Sequence, residues 1–505
     1  MDTPLTVYDE LRYPGRFYPY ATAERLATIA ALYGLDSAPV TRCRVLELAC
    51  GEGGNLIPQA LVFPDSEFFG IDLAATSIER GRALAEQVGL RNIQLRAQDL
   101  LEFPRDAGTF DYIVAHGLYS WVPERVREEI LEICSRHLAP RGLAYISYNA
   151  LPGGHFKQYA RDLMLFHTRF FSDPGVKVRE ARNIIDFVTV AHPHASPERE
   201  SLRREMAPYE NYDSFLFHDL LAETNESVYF LDFMDQAARR GLQFVSEATL
   251  ENFLVNQWPD SLRRQIESLG DRLLQEQYRD FIGCRRFRRT VLCRAGHDLD
   301  PHLRPERMKQ FTFVSALHPV KPIKDLHDGE MVDFRTASGH TIASDQAMPK
   351  ALYLELGDAW PHALTYDELL GQVVRRVGID PGELDDENLG RFHRLLLSSF
   401  ANGVVIWHIV RPIFALEVSD RPVASPLARA MADSDGPIPS LSLSVYSIGD
   451  PLQRRVLKML DGSRDLAQIV AELQRESKPE EFPEISVAAV KQAVQTLAYL
   501  GFLSA

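Results

Sequence analysis

The sequence lacks the marks of several common classes of protein. Its five cysteines show neither CxxC nor Cys/His ligand spacing, so we expect no disulfide framework and no structural zinc or other metal site. This favours a reducing, cytoplasmic location. The first residues place acids and prolines where a signal peptide would have basic and then apolar residues. The most apolar late stretch, residues 400–418, is interrupted by Asn402, His408 and Arg411, so we predict no membrane insertion.

The chain is also short of positive charge. With 55 basic against 70 acidic residues, its formal net charge is -15. Because phosphate binding needs a concentrated basic face, nucleic acid is not expected as a partner. An acidic balance would suit a basic protein substrate, although it is more often a solubility feature. Apolar residues are plentiful, 45% of 505, which is enough for several globular units.

Short apolar runs alternate with helical segments between residues 44 and 148. Strands that alternate with helices favour βαβ crossovers and a parallel sheet, whose ligands bind at the carboxyl ends of the strands. The pattern predicts helices over 76–89, with Thr76 or Ser77 as N-cap, and over 123–138. The predicted strands of this seven-strand, Rossmann-like α/β sheet are residues 44–49, 67–72, 93–98, 111–116, 143–148, 241–248 and 287–296.

The remaining segments predict a helical insertion and two carboxyl-terminal modules. Each module has two helices, a third helix that ends at a glycine, and an apolar tail, which indicates a winged-helix-like α+β fold. Neither carries a basic recognition helix, so contact with protein is favoured over contact with DNA. The predicted segments are 1–150 (first five strands), 151–240 (insertion, with a lid or dimerisation role), 241–298 (closing strands and further helices), 299–418 (middle module), 419–440 (linker) and 441–505 (carboxyl-terminal module).

The stretch VLELACGEGGN, from Val45 to Asn55, breaks a predicted strand into glycines behind a single acid. It lacks the Gly-Lys-Ser/Thr ending of a P-loop and the GxGxxG spacing of a dinucleotide turn. The acid, Glu47, suits a ligand with a cationic amino-acid end better than a pyrophosphate. The next strand ends in Asp72, which can hold both hydroxyls of a ribose, and the one after it ends near Asp99.

Each of these acids alone would be a strand-end or helix-capping residue. In this order and spacing, however, Glu47, Asp72 and Asp99 fit the amino-acid end, the ribose and the adenine edge of one ligand, with Leu100 against the adenine ring. An adenosine with an amino-acid tail and no pyrophosphate is S-adenosylmethionine. We therefore predict S-adenosyl-L-methionine as the cofactor.

At this point the chain resembles the class I, seven-strand methyltransferases. More narrowly, it resembles the bacterial family that joins such a core to a methyltransferase regulatory domain, whose best-known relatives are the rickettsial lysine methyltransferases of outer membrane proteins. The resemblance is carried by YDELRY, VLELACGEGGNLIP, FFGIDLAATSIERG, AHGLYSWVP, YNALPG, LFHDLLAETNESVYFLDF and DFIGCRRFRRTVLCR. It implies a protein substrate that carries lysine, of the outer-membrane-protein type, and a homodimer.

The same resemblance assigns roles to positions of the glycine turn and beyond. Glu47, Gly51 and Gly53 would shape the methionine pocket, and His116 would lie close to the cofactor. Ala49 replaces the usual first glycine of the turn, which would at most crowd the pocket slightly. The full predicted cofactor set is Glu47, Ala49, Gly51, Gly53, Asn55, Asp72, Leu73, Asp99, Leu100 and His116.

For the methyl acceptor, a lysine needs a channel of aromatic side chains and carbonyl groups that tolerates a cation. Tyr119 and Trp121 follow the fourth strand, and Tyr148 and Asn149 end the fifth, beside the same cleft. The amide of Asn149 could accept a hydrogen bond from the amine, whereas the aromatic residues could equally pack a helix on the sheet. His218, in the insertion, is a further candidate that could equally be a packed or capping residue.

Three functions remain open from the sequence. The leading one is methylation of lysine side chains in a protein. The alternatives are methylation of a small molecule or natural-product peptide, and a cofactor-binding regulator without catalysis. The run Arg285 to Arg289 is expected to be a solvated lead into the last strand, with an anion site as the alternative.

Overall fold

The computed structural model describes residues 12–191, 196–250, 258–300, 304–336, 339–380, 382, 384–434, 436–476 and 485–504. Residues 8–11 of the YDELRY motif lie outside the described residues. The central feature is a sheet of seven strands: β1 Arg44–Leu48, β2 Glu67–Asp72, β3 Ile93–Ala97, β4 Phe110–Ala115, β5 Leu138–Asn149, β6 Leu242–Glu247 and β7 Phe287–Arg294.

The strand order is β3-β2-β1-β4-β5-β7-β6. Strands β1 to β5 are parallel, and β7 runs antiparallel between β5 and β6. The order reverses between β1 and β4, so a crevice opens at the carboxyl ends of these two strands. The predicted seven-strand sheet is confirmed, including its closure by two strands that come after the insertion.

Both faces of the sheet are covered by helices. Alternate residues of each strand point to opposite faces, so Tyr112 and Tyr145 belong to one buried cluster, while Ile113 and Ile146 belong to another. The helices packed on the first face are Ala23–Leu32, Leu56–Val62 and Ala75–Gln87, and those on the second are Glu124–His137 and Phe230–Ala238.

The start of helix Ala75–Gln87 differs from the prediction. Its N-cap is Ala74, which offers no side-chain hydrogen bond, and Thr76 and Ser77 lie inside the first turn. Oδ1 of Asp72 accepts a hydrogen bond from the backbone N–H of Ala74 at 2.8 Å. The predicted N-caps were wrong because the helix begins earlier, and Asp72, at the end of β2, supplies the side-chain hydrogen bond to the backbone just before it.

The insertion is helical, as predicted, and has a buried cluster of its own that includes Met164, Ile185 and Leu216. Its helices are Gly154–Thr168, Pro174–Ala191, Pro197–Met206 and Asp213–Phe215, and the last of these runs directly into a π-helix, Leu216–Leu220. Two more helices, Asp260–Glu267 and Arg272–Gly283, precede β7. The 3-10 turns are Pro19–Ala21, Leu100–Glu102, Tyr119–Trp121, Ala207–Tyr209 and Pro305–Gln310.

The two carboxyl-terminal modules have the predicted order of helices. The third helix of each is followed by a glycine with positive φ, Gly403 at 69° and Gly501 at 76°. The helices are Ala347–Ala359, Tyr366–Arg376, Asp386–Ala401, Pro426–Ala430, Pro451–Met459, Leu466–Glu476 and Val487–Tyr499. The strands are Thr312–Val314, His318–Pro319, Val332–Arg335, Thr341–Ser344, Leu364–Thr365, Ile406–His408, Ile438–Pro439 and Val445–Tyr446.

The middle module shares a core with the sheet. Leu26 and Ile29 of the amino-terminal helix lie in the same buried cluster as Phe313 and Trp407 of the middle module. The segment predicted as a linker, 419–440, includes a short helix and bridges at Ala424 to Leu503, so it packs on the carboxyl-terminal module. No helix in the described part of the chain is long and apolar enough to cross a membrane.

The arginine run before β7 is not a solvated lead. Arg288 is fully buried, and its guanidinium forms ion pairs with Glu247, Glu276 and Asp280 at 2.8, 3.2 and 2.8 Å. Its guanidinium carbon also lies 3.8 Å from the ring centre of Phe230. The prediction was wrong because the three acids come from β6 and from helix Arg272–Gly283, elements that meet Arg288 only in the folded chain.

Candidate active site

The glycine turn after β1 forms the floor of the crevice. Ala49, Gly51 and Gly53 all have positive φ, at 58°, 54° and 72°. For Ala49 this conformation costs about 1 kcal/mol, so replacing the usual glycine strains the backbone rather than crowding the pocket. A Cβ on Gly51 would meet no atom within 4 Å, whereas a Cβ on Gly54 would lie 2.8 Å from the backbone nitrogen of Arg16. The turn therefore leaves open space on one side and receives the amino-terminal segment on the other.

Asp72, at the end of β2, holds this turn in place. Its Oδ2 accepts a hydrogen bond from the backbone N–H of Gly51 at 2.8 Å, while Oδ1 accepts one from Ala74. The side chain is only partly buried, so it also faces the crevice. Asp72 is thus positioned both to shape the turn and to meet a ligand.

Glu47 lies deep beneath the turn, with 4% of its surface exposed. Burial raises the pKa of Glu47 to about 8, and the charge of Asp72 raises it further. A hydrogen bond with the Asn55 side chain acts in the opposite direction. Oε2 of Glu47 is buried without a hydrogen-bond partner among the described residues. A buried carboxyl that holds a proton at neutral pH and has an unused oxygen is prepared to receive a cationic or donating group.

The other end of the crevice is lined by residues that follow β2 and β3. Oδ1 of Asp99 accepts a hydrogen bond from the backbone N–H of Leu101 at 2.9 Å. Leu73 is 50% exposed, and Leu100 is half-buried beside the second core cluster. These two leucines provide apolar surface next to an acid, the combination expected for an adenine ring.

The side chain of Asn55, predicted to be in the cofactor set, binds the amino-terminal segment. Its Nδ2 donates a hydrogen bond to the carbonyl of Ala21 at 3.1 Å, and its Oδ1 accepts one from the backbone N–H of Tyr18 at 3.2 Å. The side chain is buried. Asn55 thus ties the amino-terminal segment to the glycine turn, a role that only the folded chain reveals.

His116 follows β4 and is enclosed by aromatic residues. Its Nδ1 lies 3.0 Å from the hydroxyl of Tyr145 and 3.1 Å from that of Ser147. The rings of Tyr18 and Tyr20 lie 4.0 and 5.6 Å from the imidazole, centroid to centroid. Burial, together with the charge of Arg289, lowers the pKa of His116 to about 3. The imidazole is therefore neutral at physiological pH and presents a packing surface rather than a charge.

The amino-terminal segment, residues 12–22, lies over the crevice. Arg12 and Arg80 both bind the carboxylate of Glu52, at 2.8 and 2.6 Å. Further along, the edge of the Tyr13 ring meets Phe215 and His218 of the insertion, with centroids 4.9 and 5.5 Å apart. The segment thus connects the glycine turn to the insertion.

Two of the predicted acceptor residues are not in the crevice. Tyr119 and Tyr148 are buried in the second core cluster, where their rings lie 5.2 and 4.3 Å from that of Phe233. Their hydroxyls bond to Gln236 and Thr290, at 2.9 and 3.0 Å. Both tyrosines pack helix Phe230–Ala238 on the sheet, because residues after β4 and at the end of β5 turn to that face.

The other three predicted acceptor residues surround a polar cluster between β5 and the insertion. Oδ1 of Asn149 accepts a hydrogen bond from Nζ of Lys157 at 3.0 Å, and Nε1 of Trp121 donates to the backbone carbonyl of Asp219 at 3.4 Å. His218 is buried, with 4% of its surface exposed, and its ring packs against Phe217 and Tyr13. The buried position of His218 therefore favours a packing role over a catalytic one.

The chemistry of this cluster centres on Asp219. Burial raises its pKa to about 6, partly offset by the charge of Lys157 and by a hydrogen bond with Tyr209. Burial also lowers the pKa of Lys157, although the charges of Asp219 and Glu205 oppose this. The cluster thus contains a carboxylate and an amine, both poorly solvated, with the amine bound to an amide oxygen.

Comparison with known proteins agrees with this geometry. Residues 45–142 match a family described as "Methyltransferase domain", residues 212–294 one described as "Predicted methyltransferase regulatory domain", and residues 420–496 one described as "PKMT, C-terminal winged helix domain". The uncharacterized protein RP028 of Rickettsia prowazekii is 34% identical over 235 residues, which cover 46% of this chain and 94% of that protein. The chain belongs to this family of methyltransferases with a regulatory domain.

Other relatives extend over nearly the whole methyltransferase. The uncharacterized protein RP789 of Rickettsia prowazekii is 29% identical over 474 residues, or 92% of this chain and 84% of that protein. The solved structure of PKMT2 from Rickettsia typhi superposes with a TM-score of 0.84 at 24% identity, covering 98% of this chain and all of that one. That protein was also solved in complex with AdoHcy. The methyltransferase domain implies S-adenosylmethionine as the cofactor, as predicted.

Sequence reasoning missed several residues of the methyltransferase site. Asp219 is the neighbour of the predicted His218, but in the amphipathic pattern of that helical segment it looks like any other polar residue. Tyr13, Tyr18 and Tyr20 were also missed, although the run YPGRFYPY carries a signal. Four aromatic residues spaced by prolines and a glycine cannot continue a helix and are typical of an ordered segment that packs on a surface.

Proposed function

We propose that this methyltransferase transfers methyl groups from S-adenosylmethionine to lysine side chains of a protein. The observation that carries the proposal is the poorly solvated carboxyl of Asp219, whose pKa is affected by the charge of a lysine amine, that of Lys157, in the polar cluster between β5 and the insertion. A site that accommodates one lysine amine, bound to an amide oxygen and close enough to a carboxylate to be affected by its charge, has the chemistry required for another.

The residues of the glycine turn fit the cofactor. Glu47 would bind its amino group, since Oε2 is buried and has no partner among the described residues. Asp72 would bind the ribose, and Asp99 with Leu73 and Leu100 the adenine. The open space at Gly51 leaves room for the methionine portion. When bound, the cofactor supplies an electrophilic methyl group.

The acceptor residues would then bind and orient an ammonium group. At pH 7 a lysine with a pKa of about 10.4 needs roughly 4.6 kcal/mol to become neutral. Asp219 attracts the ammonium and, with its pKa raised to about 6, takes up a proton more readily than an ordinary aspartate. The nearby faces of Tyr13 and Tyr18 exclude water and tolerate a cation.

The protein substrate and the oligomeric state are proposed from the relatives and from the charge of the chain. The matched family at residues 420–496 and the R. typhi structure both carry the name PKMT, and the net charge of -15 suits a lysine-bearing substrate. We propose a protein substrate of the outer-membrane-protein type, methylated in the cytoplasm by a homodimer. The carboxyl-terminal modules would contribute to recognition of that substrate.

The experiment measures methyl transfer from deuterated S-adenosylmethionine to an unfolded, lysine-rich outer membrane protein, read by mass spectrometry at single residues. Asp219→Asn should lower kcat by about 100-fold while leaving cofactor affinity unchanged, because the carboxylate acts only on the acceptor. Asp213→Asn is the matched control, since Asp213 lies on the same helical stretch in an exposed ion pair with Arg182.

Three outcomes would contradict the proposal. Labelled methyl groups found only on small molecules would favour a different acceptor class. Tight cofactor binding with no turnover on any protein would indicate a regulator. Equal turnover by the Asp219 and Asp213 variants would remove Asp219 from the acceptor site.

A further inference from the structure

A second cavity, separate from the crevice, lies where the amino-terminal helix, the middle module and the carboxyl-terminal module meet. Its volume is about 290 Å³. The lining residues used below are Tyr20, Arg25, Phe400, Trp407, His408 and Tyr446. Of these six residues only Tyr20 also contributes to the candidate methyltransferase site, where its ring lies 5.6 Å from that of His116.

Two residues that line this cavity each carry a buried polar atom without a hydrogen-bond partner within the described residues. These atoms are Nε1 of Trp407, whose side chain is 3% exposed, and Nε2 of His408, which is 2% exposed. The other ring nitrogen of His408, Nδ1, lies 3.0 Å from Oε1 of Glu24. A buried polar group without a partner is unfavourable, so two such groups on residues that line one cavity point to a ligand that pairs with them.

Arg25 adds a positive charge to the same wall. Its guanidinium carbon lies 4.2 Å from the ring centre of Phe400, and no ion pair within 4 Å joins it to a carboxylate in the described ranges of the chain. Burial lowers its pKa to about 10, with only Glu24 acting in the opposite direction. Glu24, which also lines the cavity, is bound to His408, so within the described ranges the guanidinium forms no close ion pair.

The polar atoms of Arg25, Trp407 and His408 together favour one functional group in a ligand. Arg25 and Trp407 can only donate hydrogen bonds, and Nε2 of His408 accepts one from a carboxylic acid or, as imidazolium, donates one to a carboxylate. The rest of the lining is mixed: it includes the rings of Phe400 and Tyr446 and the apolar side chains of Val405 and Leu443, together with the polar residues Thr22, Glu24, Thr249, His340, Ser442 and Ser444. We propose that the cavity is a binding site for a small apolar or aromatic carboxylic acid, with its carboxyl group at Arg25, Trp407 and His408.

Tyr20 gives this site a connection to the cofactor crevice. One side of Tyr20 lines the cavity, while its ring lies 5.6 Å from His116 and beneath the guanidinium of Arg289, 4.5 Å away. An acid in the cavity therefore supports the segment that covers the crevice. Coupling between two sites is reciprocal, so the acid and the cofactor should change each other's affinity by the same factor.

The test uses the full chain and phenylacetate as the probe, with binding measured by calorimetry in the absence of cofactor. Phenylacetate should bind with a Kd of about 1 mM or below, and phenylacetamide, which has the same shape without the charge, at least about 10-fold more weakly. Arg25→Met keeps the apolar stem and should lose about 10-fold in affinity for the acid. Trp407→Phe, which removes only the N–H donor, should lose about 3-fold.

Arg391→Met is the matched control, because Arg391 is an exposed arginine that pairs with Glu387 and lies on helix Asp386–Ala401, which also carries Phe400. It should bind phenylacetate like the unaltered chain. Equal affinity for the acid and the amide, unchanged binding by Arg25→Met, or no saturable binding of either phenylacetate or hexanoate would overturn the proposal. Equal affinity for phenylacetate with and without S-adenosylhomocysteine would overturn the coupling through Tyr20.

Discussion

The ring of Tyr18 lies against the imidazole of His116, with centroids 4.0 Å apart and planes inclined at 50°. The two residues are distant in sequence, one in the amino-terminal segment and the other after β4. Their contact is fixed by Asn55, which accepts a hydrogen bond from the backbone of Tyr18. Through this contact the amino-terminal segment forms one wall of the proposed cofactor pocket.

Replacing Tyr18 should therefore weaken cofactor binding without unfolding the protein. Tyr18→Ala removes the aromatic cover over His116, and we expect affinity for S-adenosylhomocysteine to fall by about 10-fold in calorimetry. Tyr18→Phe keeps the ring and should stay within about 2-fold of the unaltered chain. If alanine has no larger effect than phenylalanine, the segment does not line the pocket.

Cofactor binding should release a proton near neutral pH. With its pKa raised to about 8, Glu47 is about nine-tenths protonated at pH 7 in the free protein. Pairing with the cationic amino group of the cofactor favours the carboxylate and expels that proton. Calorimetry in buffers of different ionisation enthalpy measures the number released, and affinity should rise with pH towards about 8.

Glu47→Gln provides the control for proton release. The amide is nearly isosteric but carries no titratable proton, so release should disappear together with most of the affinity. In the free protein, the raised pKa of Glu47 contributes stability below its unfolded value of 4.5, which is lost as the pH rises through about 8. Release that persists in the glutamine variant would assign the proton to another group.

Asp72→Ala should abolish measurable cofactor binding. The change removes the proposed ribose contact and also the hydrogen bonds that Asp72 accepts from Gly51 and Ala74, so the turn loses its support. We expect affinity to fall by at least about 100-fold, measured by calorimetry. Asp65→Ala, an exposed acid before β2, is the control and should bind normally. An unchanged affinity in the Asp72 variant would refute the assignment of the pocket.

Arg288→Met should destabilise the sheet rather than the site. It leaves the buried carboxyl of Glu247 without its cation and removes one of the two arginines that pair with Asp280, the other being Arg285. Breaking a buried ion pair on one side typically costs about 3–5 kcal/mol of unfolding free energy. Urea denaturation measures this loss. Arg141→Met, which breaks the exposed pair with Asp36, should cost no more than about 1 kcal/mol.

The loss caused by Arg288→Met should also depend on pH. Burial already raises the pKa of Asp280 to about 6 with the arginine present. Acidification to about pH 5 protonates this carboxyl and removes the need for a cation, so the deficit should be smaller there than at about pH 8. A deficit that grows on acidification would contradict the role of the buried pair.

Much of the cofactor site could be predicted from the sequence. Glu47, Asp72 and Asp99 lie at or just beyond the carboxyl ends of consecutive strands. These ends of parallel strands meet at one edge of the sheet, so the order of the acids alone predicts that they lie together. The acceptor site could not be predicted in the same way. Tyr119 and Tyr148 turn into the core, whereas Asp219 lies in the polar cluster between β5 and the insertion. Which of these surroundings a side chain meets is decided only when distant segments fold together.

The sequence by itself determined the alternation of strands and helices, the seven-strand sheet and the glycine turn, because these depend on local periodicity and on φ values that few residues adopt. Only the tertiary structure decided how separate segments combine. It brings Tyr18 to His116, Arg288 to three acids and the middle module into one core with the helix Ala23–Leu32. Such contacts join residues far apart in the chain, and local patterns carry no record of them.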